Sequence, residues 1–215
     1  MKVYFIPGIG ADCRIFKHIR LPEGYEARNI HWIPPYKKEP LADYAYRLTQ
    51  QIDSKEPFVL AGVSLGGIMA TEIAKRIPSV CTILISSIPL STQMPLLYRW
   101  IGPLRLDRIV PVSFLKLGAI ITHTLTIRQA ANRRLMRQIV REGDSVFTRW
   151  ALRAVLEWRN DTLTKPLFHL HGTHDIVFPI RRTNPTHILA KGGHFFLVTR
   201  PEEVNEFLRQ VLPPL

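Results

Sequence analysis

Gly62-Val63-Ser64-Leu65-Gly66, with Gly67 after it, places a hydroxyl among glycines where an apolar run, Phe58 to Val63, gives way to a helix-period stripe of Leu65, Ile68, Met69, Ile73 and Ile77. A serine on a tight strand-to-helix turn needs small neighbours, because its backbone is strained and other chain passes close. Such a turn lifts Oγ away from the sheet and aims the free N–H groups of the helix's first turn at whatever binds there. The bland alternative is a glycine-rich turn whose serine caps the helix.

A nucleophilic serine needs a base, and the base needs an acid to orient it. Of eight histidines, His194 has the right setting, in Gly192-Gly193-His194-Phe195-Phe196 between the last expected strand and the last expected helix. Glycines let that loop approach closely, and open α/β sheets build their sites at the carboxyl ends of strands. His18, His31, His123 and His187 lack such a setting. Asp175 is the candidate acid: it follows the run Leu167 to Leu170 in His171-Gly172-Thr173-His174-Asp175, giving the order Ser, Asp, His. Asp144 and Asp161 fall in or beside a helical insert, away from that edge. Pro7-Gly8-Ile9-Gly10 follows the first apolar run directly, so the N–H groups of Ile9 and Leu65 are the expected donors to a developing oxyanion.

Two rival chemistries are legible in the same stretches. His169, His171, His174 and Asp175 form H-x-H-x-x-H-D, a donor set suited to zinc, iron or manganese. Its order and spacing differ from the metallo-β-lactamase string, and period two puts His169 and His171 on a strand face where helices should pack, so no metal is expected. Gly8-x-Gly10 hints at a dinucleotide loop, but Cys13 stands where the third glycine belongs, and no cofactor is expected.

The elements that must hold these residues follow from periodicity. Val3 to Ile6, Ile30 to Ile33, Phe58 to Val63, Thr82 to Ile85, Leu167 to Leu170 and Thr186 to Leu189 read as strands. Most are uninterrupted apolar runs, as in a sheet buried on both faces. Helical stripes lie between them: Leu41, Tyr44, Ala45, Leu48 and Ile52, then the stripe after Ser64. At the end Pro201, Glu202 and Glu203 precede Val204, Phe207, Leu208 and Val211, a helix with a pre-set start and acids at its positive pole. The expectation is an α/β fold: a mostly parallel sheet of about six strands with helices on both faces.

Residues 91–160 break that rhythm with helical patterns alone, the best being Val146, Phe147, Trp150, Ala151, Ala154, Val155 and Trp158, and a second Ala131, Leu135, Met136, Ile139 and Val140. An insert of about 70 residues is too long for a connection and reads as a cap over a core of residues 1–90 and 161–215. It holds 12 Lys and Arg against Asp107, Glu142, Asp144 and Glu157, a net +8 of the chain's +12. That charge suits an anionic substrate, peripheral contact with an acidic membrane, or simply a solvated face. Its aromatic and aliphatic stripes are expected mostly to form the cap's own core rather than to line an acyl pocket.

Together these motifs resemble the α/β-hydrolase fold family: an oxyanion loop at Pro7 to Gly10, a nucleophile elbow at Gly62 to Gly66, an acid after a late strand, and Gly193-His194, in that order along almost the whole chain. The resemblance implies that Ser64 is the nucleophile, His194 the base and Asp175 its partner, and that the insert is the family's helical cap. There are three departures. The sequence opens at what would be the family's third strand, so two antiparallel edge strands are expected to be absent; Pro7 replaces a histidine common before the loop glycine; and only Phe178 to Pro185 separates Asp175 from the last strand, so the usual helix there is expected to have shrunk to a turn or vanished. None removes a catalytic group. The implied function is hydrolysis of a carboxylic ester or thioester through an acyl-enzyme, the substrate being a small molecule whose anionic form the basic cap would suit. The alternative is a non-catalytic module docking anionic lipid or an acidic partner through the basic cap.

Composition narrows the setting. At 215 residues, with 46% apolar and 21% charged residues, the chain suits one globular domain and excludes a mainly disordered protein. Two cysteines make no disulfide framework, and no signal peptide is legible, so a cytoplasmic location is expected. The stretch from Ile109 to Ile127 is interrupted by Pro111, Lys116 and His123 and does not read as a membrane span. No zinc-finger, RRM or helix-turn-helix pattern is present, and no nucleic acid is expected.

Overall fold

The structure, a computed structural model, describes residues 1–96, 98, 127 and 129–214. Its sheet is built from β1 (Lys2–Ile6), β2 (Glu26–Asn29), β3 (Phe58–Val63), β4 (Cys81–Ile85), β5 (Leu167–Gly172) and β6 (His187–Leu189). The order is β2-β1-β3-β4-β5-β6, and all five pairings are parallel. Helices α1 (Leu41–Leu48), α2 (Leu65–Ala74), α3 (Ala130–Glu142), α4 (Ser145–Glu157), α5 (Phe196–Thr199) and α6 (Pro201–Val211) accompany it.

Alternation along each strand sorts its side chains into two cores. Tyr4, Ile6, Leu60 and Leu84 face one way, onto α1, α2 and α4 through Tyr44, Leu48, Ile68, Met69 and Trp150. Val3, Phe5, Val59, Ala61 and Ile83 face the other, onto α6 through Val204, Phe207 and Leu208. Each large apolar side chain so buried contributes about 1.5–3 kcal/mol. All six residues of β3 are buried, which is why the sequence shows an unbroken apolar run there.

One strand differs from expectation. The sequence points to Ile30 to Ile33, but β2 lies just upstream, and all four of its residues are exposed. As an edge strand it pairs only with β1, through Lys2↔Glu26 to Phe5↔Asn29, so it has no apolar signature. The apolar run that follows leaves the edge: Ile30 N–H donates to the Phe5 carbonyl, and Ile33 exchanges hydrogen bonds with the Tyr44 hydroxyl.

The connection from β5 to β6 has one short 3₁₀ turn, Ile180–Arg182, in place of a helix. Asp144 caps α4, its carboxylate accepting from Val146 N–H. Trp150 donates to the Glu39 carbonyl and Trp158 to Glu72 Oε1, while Phe147 stacks on Trp32 at 4.7 Å. These aromatics fasten α4 to the core. Residues 97, 99–126 and 128, which include Arg99, Arg105, Arg108, Lys116 and Arg128 and most of the 109–127 stretch, lie outside the described residues. No helix among the described residues is long and apolar enough to cross a membrane.

Candidate active site

The chain runs from β1 to one neighbour, β2, and then crosses back to the other, β3. Loops diverge at such a switch point and leave a crevice at the carboxyl ends of the strands. The register aligns those ends, with Ile6 opposite Gly62, Val63 opposite Ile85 and Gly172 opposite Leu189. The loops after β1, β3, β5 and β6 therefore meet at one rim.

Ser64 sits on the turn between β3 and α2 with φ 53° and ψ −118°, a left-handed conformation that strains any residue but glycine. Two glycines make the turn passable: a Cβ on Gly62 would lie 2.2 Å from the Gly66 carbonyl oxygen, and one on Gly66 would lie 2.1 Å from that of Ile6. The backbone is pinned as well. Ser64 N–H donates to the Ile85 carbonyl, and the Ser64 carbonyl accepts from Gly67 N–H and from the Ser87 hydroxyl at 2.7 Å. Ser64 makes no side-chain cap to its helix, which removes the capping alternative. Instead its Oγ lies 3.0 Å from His194 Nε2.

His194 Nδ1 lies 2.8 Å from Asp175 Oδ2. A carboxylate only accepts, so Nδ1 carries the proton and Nε2 is free to take one from Ser64. Asp175 Oδ1 accepts from the N–H groups of Val177 and Phe178, each at 2.9 Å. Burial pushes this carboxyl up, but the hydrogen bond and charge of His194, with the Phe178 N–H, outweigh it and hold Asp175 below its ordinary value. The acid is thus kept ionised in a buried place.

Gly8 passes beside the serine: a Cβ there would lie 3.4 Å from Ser64 Cβ. Leu65 heads α2, where an N–H has no carbonyl four residues back within the helix. Ile9 lines the pocket at Ser64. The pocket has a volume of about 320 Å³ and is bounded by Ile15, Met136, Val140, Leu152, Leu197 and Val198, among others. Its lining, among the described residues, includes no Lys, Arg, Asp or Glu side chain. Within residues 91–160, Met136 lines it, while Phe147 and Trp150 pack on Trp32 and Tyr44.

His169 and His171 are buried and face each other, whereas His174 stands at the surface, so the H-x-H-x-x-H-D string does not converge. No cluster of three or more His, Cys, Asp or Glu able to hold a metal occurs among the described residues. Sequence reasoning missed Ser87 and the role open to His171. The only sequence signals were Ser86-Ser87 directly after the β4 run and a histidine facing inward on a buried strand.

Here, then, is an open parallel α/β sheet carrying a serine, a histidine and a carboxylate in hydrogen-bonded series at its carboxyl rim. A model of the alpha/beta hydrolase family matches residues 3–207, and the chain belongs to that family. No curated protein matches it in sequence. Solved structures similar to it include MenH from S. aureus, with a TM-score of 0.76 at 18% identity over 98% of this chain and 92% of that one. A thermophilic esterase from Thermogutta terrifontis gives 0.73 at 18% over 98% and 88%. A bromoperoxidase from Bacillus anthracis gives 0.76 at 14% over 97% and 90%. At such identities the likeness is one of fold.

Proposed function

We propose that the protein is a serine hydrolase that cleaves a carboxylic ester or thioester through an acyl-enzyme on Ser64. The observation that carries this reading is the unbroken series Ser64 Oγ, His194 Nε2 at 3.0 Å, and His194 Nδ1 to Asp175 Oδ2 at 2.8 Å. Ser64 Oγ attacks the carbonyl carbon while His194 Nε2 accepts its proton. Asp175 holds the tautomer and offsets the imidazolium charge. The N–H groups of Ile9 and Leu65 receive the oxyanion. Collapse of the tetrahedral intermediate expels the alcohol or thiol, which takes the proton from His194. A water, deprotonated by the same nitrogen, then clears the acyl group and restores the serine.

The described lining of the pocket favours an uncharged substrate group. Thr148 is a rare polar side chain in its lining, and its hydroxyl already donates to the Asp144 carbonyl at 2.7 Å. Among the described lining residues a carboxylate or phosphate would find no Lys or Arg to replace its water, at a cost of several kcal/mol. An anionic group therefore belongs on the part of the substrate outside this cavity. A volume near 320 Å³ lies at the small end for small-molecule sites and suits a short or medium acyl chain. A reducing, cytoplasmic setting fits the two free thiols.

The test is labelling with a fluorophosphonate, followed by turnover of 4-nitrophenyl esters and thioesters of increasing acyl length. Wild type should label at Ser64 and hydrolyse the shorter esters, and Ser64→Ala should lose both, with kcat down by about 10⁴ to 10⁶. Turnover in Ser64→Ala near the wild-type rate would overturn the reading.

A further inference from the structure

Behind the acid of the site lies a second line of imidazoles that the proposed reaction does not use. His169 and His171, on β5, are 1% and 0% exposed. His171 Nε2 lies 2.7 Å from the Phe178 carbonyl and 3.6 Å from Asp175 Oδ2. His171 Nδ1 lies 3.1 Å from His169 Nε2.

Proton bookkeeping along this line has one neutral solution. A carbonyl only accepts, so His171 Nε2 must carry a hydrogen and donate it to Phe178. A neutral His171 then presents a bare Nδ1, and His169 must donate to it from Nε2. Burial, followed by the neighbouring His171, pushes His169 down to about 3; burial likewise lowers His171, partly opposed by the Phe178 carbonyl and the Asp175 charge. Both rings are neutral at pH 7. The groups facing His171 are His169 on its own strand, Asp175 and Phe178 on the following turn, and His194 across the rim. Tyr98 also feels the Asp175 charge, which adds to burial in raising its phenol.

Phe178 is held from both ends. Its N–H donates to Asp175 Oδ1, and its carbonyl accepts from His171. The turn that brings two N–H groups to the carboxylate is therefore tied down onto β5 by one imidazole. The same ring nitrogen lies 3.6 Å from Oδ2, the oxygen that binds His194.

We propose that His171 is a positioning residue for the acid of the site: held in its Nε2–H form by His169, it fastens the 175–178 turn and thereby the donors that fix the charge and direction of Asp175. This rests on the Ser64–His194–Asp175 reading. When the fastening is lost, the carboxylate has fewer donors, holds the protonated imidazole of His194 more tightly, and releases its proton to the leaving group less readily. The acid limb of the kcat/KM profile moves to higher pH.

Two glutamine-family substitutions separate this role from mere filling of space. In His171→Gln the amide nitrogen takes the place of Nε2 and can still reach Phe178. In His171→Asn it takes the place of Nδ1 and stops short. With 4-nitrophenyl butanoate, His171→Gln should stay within about threefold of wild type with an unmoved acid limb. His171→Asn should lose about tenfold in kcat with little change in KM. Its acid limb should move up by about half a pH unit. Equal behaviour of the two variants would overturn the proposal. Nitrogen-15 spectra of histidine-labelled wild type give an answer that needs no variant to fold: His171 should be the neutral Nε2–H tautomer at pH 7, and an Nδ1–H form would refute the assignment. The spectra do not depend on turnover, and the hydrolase reading stands or falls on Ser64-dependent labelling of the unaltered protein, so the two failures are distinguishable.

Discussion

Gly172 and Gly192 touch backbone to backbone: a Cβ on Gly172 would lie 2.2 Å from the Gly192 carbonyl oxygen. Gly172 ends β5 and leads into the turn of Asp175, while Gly192 leads into His194. The contact is reinforced by His174 N–H, which donates to the same Gly192 carbonyl at 2.8 Å. Two loops 19 residues apart in sequence are thus set at the distance at which a carboxylate meets an imidazole.

Gly172→Ala should consequently damage both fold and site. The clash is with backbone, which cannot rotate away, so the loops must separate. A loss of about 2 kcal/mol or more is expected. Thermal unfolding should show Tm lower by about 5 °C. Activity should fall further than the stability change explains, because the Asp175–His194 bond is stretched, and kcat at a temperature well below Tm is the measurement that separates the two.

Acid should destabilise the protein through the buried histidines. An unfolded histidine takes up a proton near 6.5, but folded His169 resists until about 3. Below pH 6.5 the unfolded state therefore binds more protons, and stability falls as pH drops through this window. Above 6.5 this contribution is complete and flat. One such group alters the folding equilibrium by up to about tenfold per pH unit. Urea midpoints at pH 7, 6 and 5 should decline, and His169→Phe should flatten the decline.

Filling the cavity should shorten the acceptable acyl chain. Leu152, on α4, is one of its walls. Leu152→Trp should leave acetyl esters within about twofold of wild type and depress kcat/KM for octanoyl esters by about tenfold or more. A chain-length profile that does not move would place the acyl group elsewhere.

The two thiols should behave differently. Burial pushes Cys81 up to about 11, which leaves almost no thiolate near neutrality, and Cys13 is only half-buried. One equivalent of a disulfide reagent should react promptly at Cys13, and the second only on unfolding. Since neither thiol belongs to the proposed mechanism, alkylation of Cys13 should leave Ser64 labelling intact, as read by a fluorophosphonate after treatment.

Much of this molecule is local in origin. The apolar run of β3, the glycines around Ser64 and the Pro201-Glu202-Glu203 start of α6 are legible in short windows, because an unbroken apolar run marks a strand buried on both faces, and tight turns and helix poles are satisfied by near neighbours. The candidate residues Ser64, Asp175 and His194 were legible in the same way, each from its place at the end of an expected strand. Other features were not. β2 is an exposed edge strand whose pairing is dictated by β1, so no periodicity marked it. Whether a hydroxyl and an imidazole 130 residues apart come within 3.0 Å is decided by strand order and register, which sequence spacing does not encode. The same holds for His171, whose importance lies in a carbonyl seven residues away on a turn folded back beneath it. Short-range chemistry wrote the parts into the chain; the crossover at β1 and the aligned strand ends brought them to one rim.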